Sequence, residues 1–283
     1  MTISQEEPHT MVSDALTLDA NAIRSAAAAL FAAERDRTQI SLLTDAHPTM
    51  RMEDAYAIQA EWVRAKREAG DGIVGWKIGL TSRAMQSALS IDIPDSGVLL
   101  QSMVFENGDI IPADRFIQPR IEAEIGFVMK EAIVGYSPSS ADILAATDYI
   151  VPAIEILDTR IIRKDPVSGR MRTVFDTIAD NAANAGIVLG KPVHDFDRLD
   201  LRWLGAIVSR NGEVEETGLG GGVLNDPLLA ISWLADRLGT CGDRIEAAQI
   251  VLSGSFIRPV EAPSGSHIVA DFGMLGRVEC SFA

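Results

Sequence analysis

Hydrophobic positions along this chain change their period near residue 70. From Asp19 to about Ile40 an alanine-rich stretch repeats at helical spacing, with Ile23, Ala27, Leu30 and Phe31 on one stripe. Asp45-Ala-His-Pro-Thr49 interrupts it, and the period resumes from Glu53 to about Glu68 with Tyr56, Ile58, Trp62 and Val63. Gly70-Asp-Gly72 then ends the second helix with C-terminal glycine chemistry. Downstream, short apolar runs are separated by Gly, Pro, Asp and Asn. They predict strands at Val74–Ile78, Gly97–Leu100, Ile121–Met129, Tyr149–Leu157, Ala185–Leu189, Leu201–Arg210, Gln249–Ser253, His267–Phe272 and Gly276–Phe282. Helices are expected at Ser140–Thr147 and Pro227–Leu238, the second with Asp226 as N-cap and Pro227 at its first position. Asn211-Gly212 between strand-like runs predicts a hairpin turn.

Many short strands with few crossover helices predict an α+β fold, a folded or barrel-like β-domain preceded by helices, and not a parallel doubly wound sheet. The chain divides into a polar, flexible N-terminus (1–18), a helical region (19–70) and a β-rich region (71–283) that carries the candidate chemistry.

Composition narrows the function classes. The 283 residues are 47% hydrophobic, enough for a sizeable core. A formal charge of −15 argues against a nucleic-acid groove, which needs a basic face, so an anionic substrate must be attracted locally. No run of about 18 apolar residues offers a membrane span. Cys241 and Cys280 form neither a CxxC motif nor a disulfide framework, and the acidic N-terminus lacks a signal-peptide core; a cytoplasmic protein is expected.

The most informative motif is Arg120-Ile-Glu-Ala-Glu-Ile-Gly-Phe-Val-Met129. Side chains two apart on a strand share a face, so Glu122 and Glu124 leave the sheet together, roughly 6.5 Å apart. Glu155 sits alone in the next strongly apolar run. Three carboxylates at a buried sheet would repel one another and resist desolvation, and a hard divalent cation resolves that conflict. An oxygen-only set with open positions suits Mg²⁺ or Mn²⁺. The plainer alternative for Glu122 and Glu124 is a solvated strand face. Glu155 is harder to explain that way, because acids are rarely buried unpaired.

Other candidates carry plain alternatives too. Lys77, in Gly75-Trp-Lys-Ile-Gly-Leu-Thr-Ser82, is a partner for a substrate carboxylate or a lysine reaching solvent. Asp95, in Asp92-Ile-Pro-Asp-Ser-Gly97, is a reactive acid or a turn aspartate. Thr173–Gly186 is dense in small polar groups and either lines a pocket or caps a loop. Arg258 follows an apolar strand, where a guanidinium fork would suit a carboxylate; a surface arginine is the simpler reading. Gly218-Leu-Gly-Gly-Gly222 lacks the Lys-Ser/Thr of a phosphate-binding loop. His9, His47, His194 and His267 sit away from the acidic strand, and no serine or cysteine has a nucleophile context.

Together, Gly75–Gln86, Ile91–Leu99, Pro119–Ile125, Phe175–Gly186 and Gly254–Val260 resemble the 2-oxo-hept-4-ene-1,7-dioate hydratases of homoprotocatechuate degradation, in the hydratase/decarboxylase branch of the fumarylacetoacetate hydrolase superfamily. The likeness runs in order from about residue 20 to the C-terminus. It implies a mixed β-roll preceded by helices and Mg²⁺ (or Mn²⁺) held by Glu122, Glu124 and Glu155. It implies that Lys77 and Asp95 line the reaction centre and that the backbone around Leu80 contacts a small anionic 2-oxo acid. Thr81, Thr177, Ser255 and Arg258 complete the expected substrate contacts. It further implies a homo-oligomer, a pentamer or decamer. Three positions depart from the dioate hydratases: Trp76 stands for a usual His, Ser96 for a Tyr and Asp226 for a His. Trp76 resembles the related 4-oxalocrotonate decarboxylases. The expected activity is hydration of the C7 dioate; the alternatives are 2-hydroxypenta-2,4-dienoate hydration, 4-oxalocrotonate decarboxylation, or a silent ring subunit scaffolding a partner enzyme.

Overall fold

The computed structural model describes residues 16–88, 91, 93–134 and 137–283; residues 1–15 of the expected flexible stretch 1–18 and Asp92 of the turn motif lie outside these, while Thr17 and Leu18 are hydrogen-bonded to Asp54. The chain begins with α1 (Ala20–Asp36), α2 (Leu43–Ala46) and α3 (Met52–Glu68). β1 (Ile73–Gly79), α4 (Arg83–Ala88), β2 (Asp95–Leu100), β3 (Val104–Glu106), β4 (Ile110–Ile111) and β5 (Arg120–Met129) follow. Then come α5 (Ser140–Ala146), β6 (Thr147–Leu157), α6 (Val174–Ala179), β7 (Asn184–Leu189), β8 (Gly205–Arg210) and β9 (Glu213–Leu219). The chain closes with α7 (Pro227–Thr240), β10 (Ile250–Leu252), β11 (Val260–Glu261), β12 (His267–Asp271) and β13 (Arg277–Phe282).

Local chemistry accounts for the helix ends. Asp19 caps α1 by accepting from the Asn21 and Ala22 amides, and the helix stops at Arg37, which turns left-handed (φ 51°). It is therefore shorter than the periodicity suggests. Its buried stripe of Ala26, Ala27, Leu30 and Ala33 packs on α3, whose inner face carries Ala55, Ile58 and Trp62. Asp226 caps α7 through the Leu228 amide with Pro227 in the first turn, as the sequence predicts. No helix among the described residues is long and apolar enough to cross a membrane.

The strands form two sheets. The larger runs β2-β1-β10-β5-β6-β7-β3, with β11 added to the start of β5; the smaller runs β4-β13-β12-β8-β9. Pairing is mixed, since β1 lies parallel to β10 and β3 to β7 while the other pairs in the large sheet are antiparallel. Asn211 (φ 54°) and Gly212 (φ 87°) make the two-residue turn between β8 and β9, as expected. Leu201–Trp203 is a 3-10 turn and not the start of a strand; Asp200 caps it, and the strand begins at Gly205. The short strands β3, β4 and β11, of two or three residues, are too brief to leave a period in the sequence.

Register decides what each face of the large sheet holds. Trp76, Ile78, Val98, Leu100, Ile121, Ala123 and Ile125 point into the main core. The opposite face gathers Asp95, Lys77, Glu122, Glu124 and Glu155 by direct cross-strand pairing and two-residue alternation. Leu99, Ala153, Ile187 and Leu252, on that same face, form a separate small apolar cluster.

Candidate active site

β5 and β6 pair antiparallel with Glu122 directly opposite Glu155, so like charges face each other across the ladder. With Glu124 two residues along, one oxygen from each of the three glutamates lies within 4.8 Å of the others. Glu124 and Glu155 are fully buried, and Glu122 borders a cavity of about 410 Å³. The solvated-face alternative for this motif is therefore excluded.

Lys77 on β1 is buried as well, its Nζ 3.4 Å from Glu155 Oε1. Burial works against the ammonium, but Glu155 and then Asp95 outweigh it and hold its pKa above the ordinary lysine value. Asp95 opposes Gly79 in the β1–β2 ladder and is buried, with Oδ1 unpartnered. Burial raises its pKa, with Lys77 opposing. Gly79 is required here, since a β-carbon would come within 2.2 Å of Asp95 Oδ1 and 3.0 Å of Lys77 Nζ. Neither Lys77 nor Asp95 is a surface residue.

One ammonium cannot neutralise four acids. Burial, then Glu155, pushes the Glu122 carboxyl up to about 8. Burial, then Glu155 and Glu122, pushes Glu124 well above its ordinary range. Glu124 Oε2 accepts the Gly254 amide (2.8 Å) and Glu155 Oε1 accepts Asn184 Nδ2 (2.6 Å). Glu124 Oε1 and Glu155 Oε2 remain buried without a hydrogen-bond partner. Buried polar atoms are normally satisfied, so two orphaned carboxylate oxygens beside a third glutamate fit a divalent cation held by oxygen ligands. Gly254 adopts φ 119°, and a β-carbon there would meet Thr81 Oγ1 at 2.4 Å; glycine lets its amide reach Glu124.

The cavity over this cluster is also lined by Leu80, Thr81, Thr177 and Ser255. Leu80 leaves β1 in a left-handed conformation (φ 55°), which turns the chain onto the cavity wall. The segment before β7 lines the cavity through Ala182 and Ala183, which with Asn181 are consecutively left-handed (φ 52° at Asn181, then 51° and 59°). Asn181 holds this strained turn by a two-way hydrogen bond to the backbone of Val98, at 2.8 and 2.9 Å. Of the two readings of Thr173–Gly186, pocket lining is the one the structure adopts.

Arg258 departs from its expectation. It points outward, with its side chain 78% exposed, and pairs with Glu216 at 2.6 Å; its neighbours Ile257 and Pro259 line the cavity instead. Alternation along an extended segment puts adjacent side chains on opposite sides. The same alternation removes Trp76 and Ser96 from the site: they lie behind Lys77 and Asp95 beside a second cavity, where Trp76 Nε1 donates to Gln249 Oε1 (3.0 Å). Asn184, Arg120, Arg163 and Arg172 belong to the site or its wall and were not singled out from the sequence. The signal for Asn184 was the small-polar stretch that contains it; the arginines carry no local signal.

No protein-family model matches the chain. Over 250 residues it is 48% identical to a 2-oxo-hept-4-ene-1,7-dioate hydratase of Escherichia coli, covering 88% of this chain and 94% of the relative. It is 37% identical to a 2-hydroxyhexa-2,4-dienoate hydratase of Comamonas testosteroni (89% and 93% covered) and 34% identical to a 4-oxalocrotonate decarboxylase of Pseudomonas putida (88% and 92%). Its structure matches the 4-oxalocrotonate decarboxylase from Pseudomonas putida G7 complexed with magnesium and adipate, with a TM-score of 0.89 at 31% identity over 95% of this chain and 100% of the other. A fumarylpyruvate hydrolase from Pseudomonas aeruginosa, with a TM-score of 0.58 at 9% identity over 74% and 88%, shares the fold alone.

Proposed function

For a chain that belongs to the hydratase/decarboxylase branch of the fumarylacetoacetate hydrolase superfamily, we propose a Mg²⁺-dependent (or Mn²⁺-dependent) hydro-lyase that adds water at C4 of 2-oxo-hept-4-ene-1,7-dioate to give 4-hydroxy-2-oxoheptanedioate. The observation that carries the reading is the Glu122–Glu124–Glu155 cluster with its orphaned oxygens, set beside Lys77 and Asp95 at one cavity. The 48% identity to a hydratase named for this dioate supports the substrate. The structural match to a decarboxylase complexed with magnesium and adipate supports both the metal and a dicarboxylate-sized cavity.

Glu122, Glu124 and Glu155 would hold the cation. When bound, it supplies Lewis-acid polarisation of the 2-oxo group and stabilises the negative charge that develops on that oxygen. Lys77 adds a fixed positive charge at the same place, and Leu80, Thr81, Thr177 and Ser255 orient the substrate. Asp95, whose raised pKa and free Oδ1 suit proton exchange, moves a proton from C3 to C5, which shifts the double bond from C4=C5 to C3=C4. Water oxygen then bonds to C4 while a proton returns to C3, so the net change is the gain of one water.

Decarboxylation is the second reading, favoured by the fold match. Trp76, which resembled the decarboxylases, lies on the opposite face of β1 and does not touch the cavity. The chain is further proposed to assemble as a pentamer or decamer; exposed Ile207, Val214 and Leu219 on β8 and β9, with Trp203 nearby, support a self-association surface. The test is an assay of the C7 dienol dioate with Mg²⁺, with the product identified by mass. Gain of water is expected; loss of carbon dioxide from the C6 homologue, whose distal carboxylate is vinylogously β to the ketone, in place of hydration of the C7 dioate would replace the hydratase reading.

A further inference from the structure

The cavity wall opposite in charge to the glutamates is built by a hairpin-like loop after β6. Lys164 and Met171 bridge across it, and the Arg172 amide donates to the Arg163 carbonyl (3.0 Å), so two arginines sit side by side at its base. Both line the cavity, as does Arg120, which shares a strand face with Glu122. These three cations differ in what already holds them. Arg120 pairs with Glu261, its Nε 2.7 Å from Oε1. Arg163 lies 3.9 Å from the same carboxylate and donates to the Gln118 carbonyl (3.1 Å) and side chain (3.3 Å), which leaves its buried Nε unpartnered.

Arg172 makes no ion pair among the described residues. Of the five N–H groups of a guanidinium, one has a partner among the described residues: Nη1 donates to Thr159 Oγ1 (2.7 Å). Two acids whose charge favours its cation are hydrogen-bonded elsewhere, Asp180 to Arg160 and Asp176 to Thr44 and Thr173, while Asp95 on the same cavity feels its charge without an ion pair to it. Burial, and then the like charge of Arg120, works against the Arg172 cation; the neighbouring acids Asp180 and Asp176 only partly offset this. A half-buried guanidinium with unused donors, in a wall of like charge, is poised to receive an anion.

We propose that Arg172, assisted by the free Nε of Arg163, is the anchor for the second carboxylate of a 2-oxo dicarboxylate, and so selects the dioate over its monocarboxylate analogue. The inference rests on the metal-dependent 2-oxo acid reading given above. The spacing along β5 suits it: Arg120, which lines the same arginine wall, Glu122 and Glu124 follow one another along one face, and a seven-carbon chain spans roughly the rise of two to three strand residues. A 2-oxo carboxylate at the glutamates leaves its far end beside the arginines. A monocarboxylate would leave Arg172 unpaired beneath the bound ligand, which is a penalty against binding it.

The test uses the full chain with saturating Mg²⁺ and two unreactive saturated ligands, 2-oxoheptanedioate and 2-oxopentanoate, titrated calorimetrically. Wild type should prefer the dioate, and Arg172→Ala should cut that preference by about 10²–10³-fold, the scale for removing one partner of an enclosed charge pair. Arg172→Gln, which can still donate to Thr159, should lose the preference with an unchanged melting temperature, and Arg172→Lys should restore part of it. The ratio of kcat/KM for the C7 over the C5 dienol should fall in parallel. Equal weakening of both ligands would place Arg172 at the 2-oxo acid end and overturn the inference alone, as would an unchanged preference. If neither ligand binds wild type in a Mg²⁺-dependent way, the underlying reading fails and the inference with it.

Discussion

Arg160–Asp180 and Lys77–Glu155 are both buried ion pairs, but their surroundings differ. Arg160 donates from its backbone amide to Asp180 Oδ2 (2.9 Å), from Nε to Oδ1, and from Nη2 to the Asp180 and Asn184 carbonyls (2.7 and 3.1 Å). Its guanidinium also stacks over Trp62 at 5.3 Å. Two unlike charges meet there, with their hydrogen-bonding groups occupied. Around Lys77 one cation faces Glu155, Asp95, Glu122 and Glu124, and three carboxylate oxygens have no partner. The first pair is complete within the chain and fixes the turn from α6 into β7. The second is complete only when something else supplies positive charge. Burial of charge alone does not mark a functional site; burial left uncompensated does.

The largest effect should come from Glu124→Gln. It removes an anionic ligand, so turnover with saturating Mg²⁺ should fall to near background, whereas stability in EDTA should be unchanged or higher because a repelling charge is gone. Near-normal turnover would dissolve the contrast between the two pairs. Asp180→Ala should do the reverse, leaving Arg160 enclosed and unpaired at a cost of about 3–5 kcal/mol in chemical unfolding. A loss under about 1 kcal/mol would show that the completed pair is not structural.

A smaller effect concerns pH. The Glu122 carboxyl sits at about 8 in the fold against 4.5 as its ordinary value, so the native state holds a proton the unfolded chain releases. That contribution is present below about 4.5 and is lost as pH rises toward 8. In EDTA the melting temperature should therefore decline across this window. Mg²⁺ binds the ionised carboxylates, so the gap between Mg²⁺ and EDTA melts should widen with pH. A gap that stays constant across the window would argue against a metal at these glutamates.

The smallest effect is expected at Arg258. Its pair with Glu216 is exposed, so Arg258→Ala should change stability by no more than about 0.5 kcal/mol and leave the C7-to-C5 preference intact. A specific loss on the C7 substrate would return the second-carboxylate role to Arg258 and away from Arg172.

The helices before residue 70, the long strands and the acid triad were legible because each depends on near neighbours in the chain. Helical period, the caps at Asp19 and Asp226, the Asn211-Gly212 turn and the two-residue spacing of Glu122 and Glu124 are local facts. Glu155 could be grouped with them because a lone acid in an apolar run demands a partner. Sequence alone could not say which residues share a wall when that is set by register and loop path. Alternation across β1 and β2 sends Lys77 and Asp95 into the site and Trp76 and Ser96 behind it, and only the pairing shows which face is which. Arg172 and Arg258 look equivalent as isolated arginines. Tertiary structure separated them, because the loop after β6 brings one to the cavity wall, and the segment before β11 turns the other toward water.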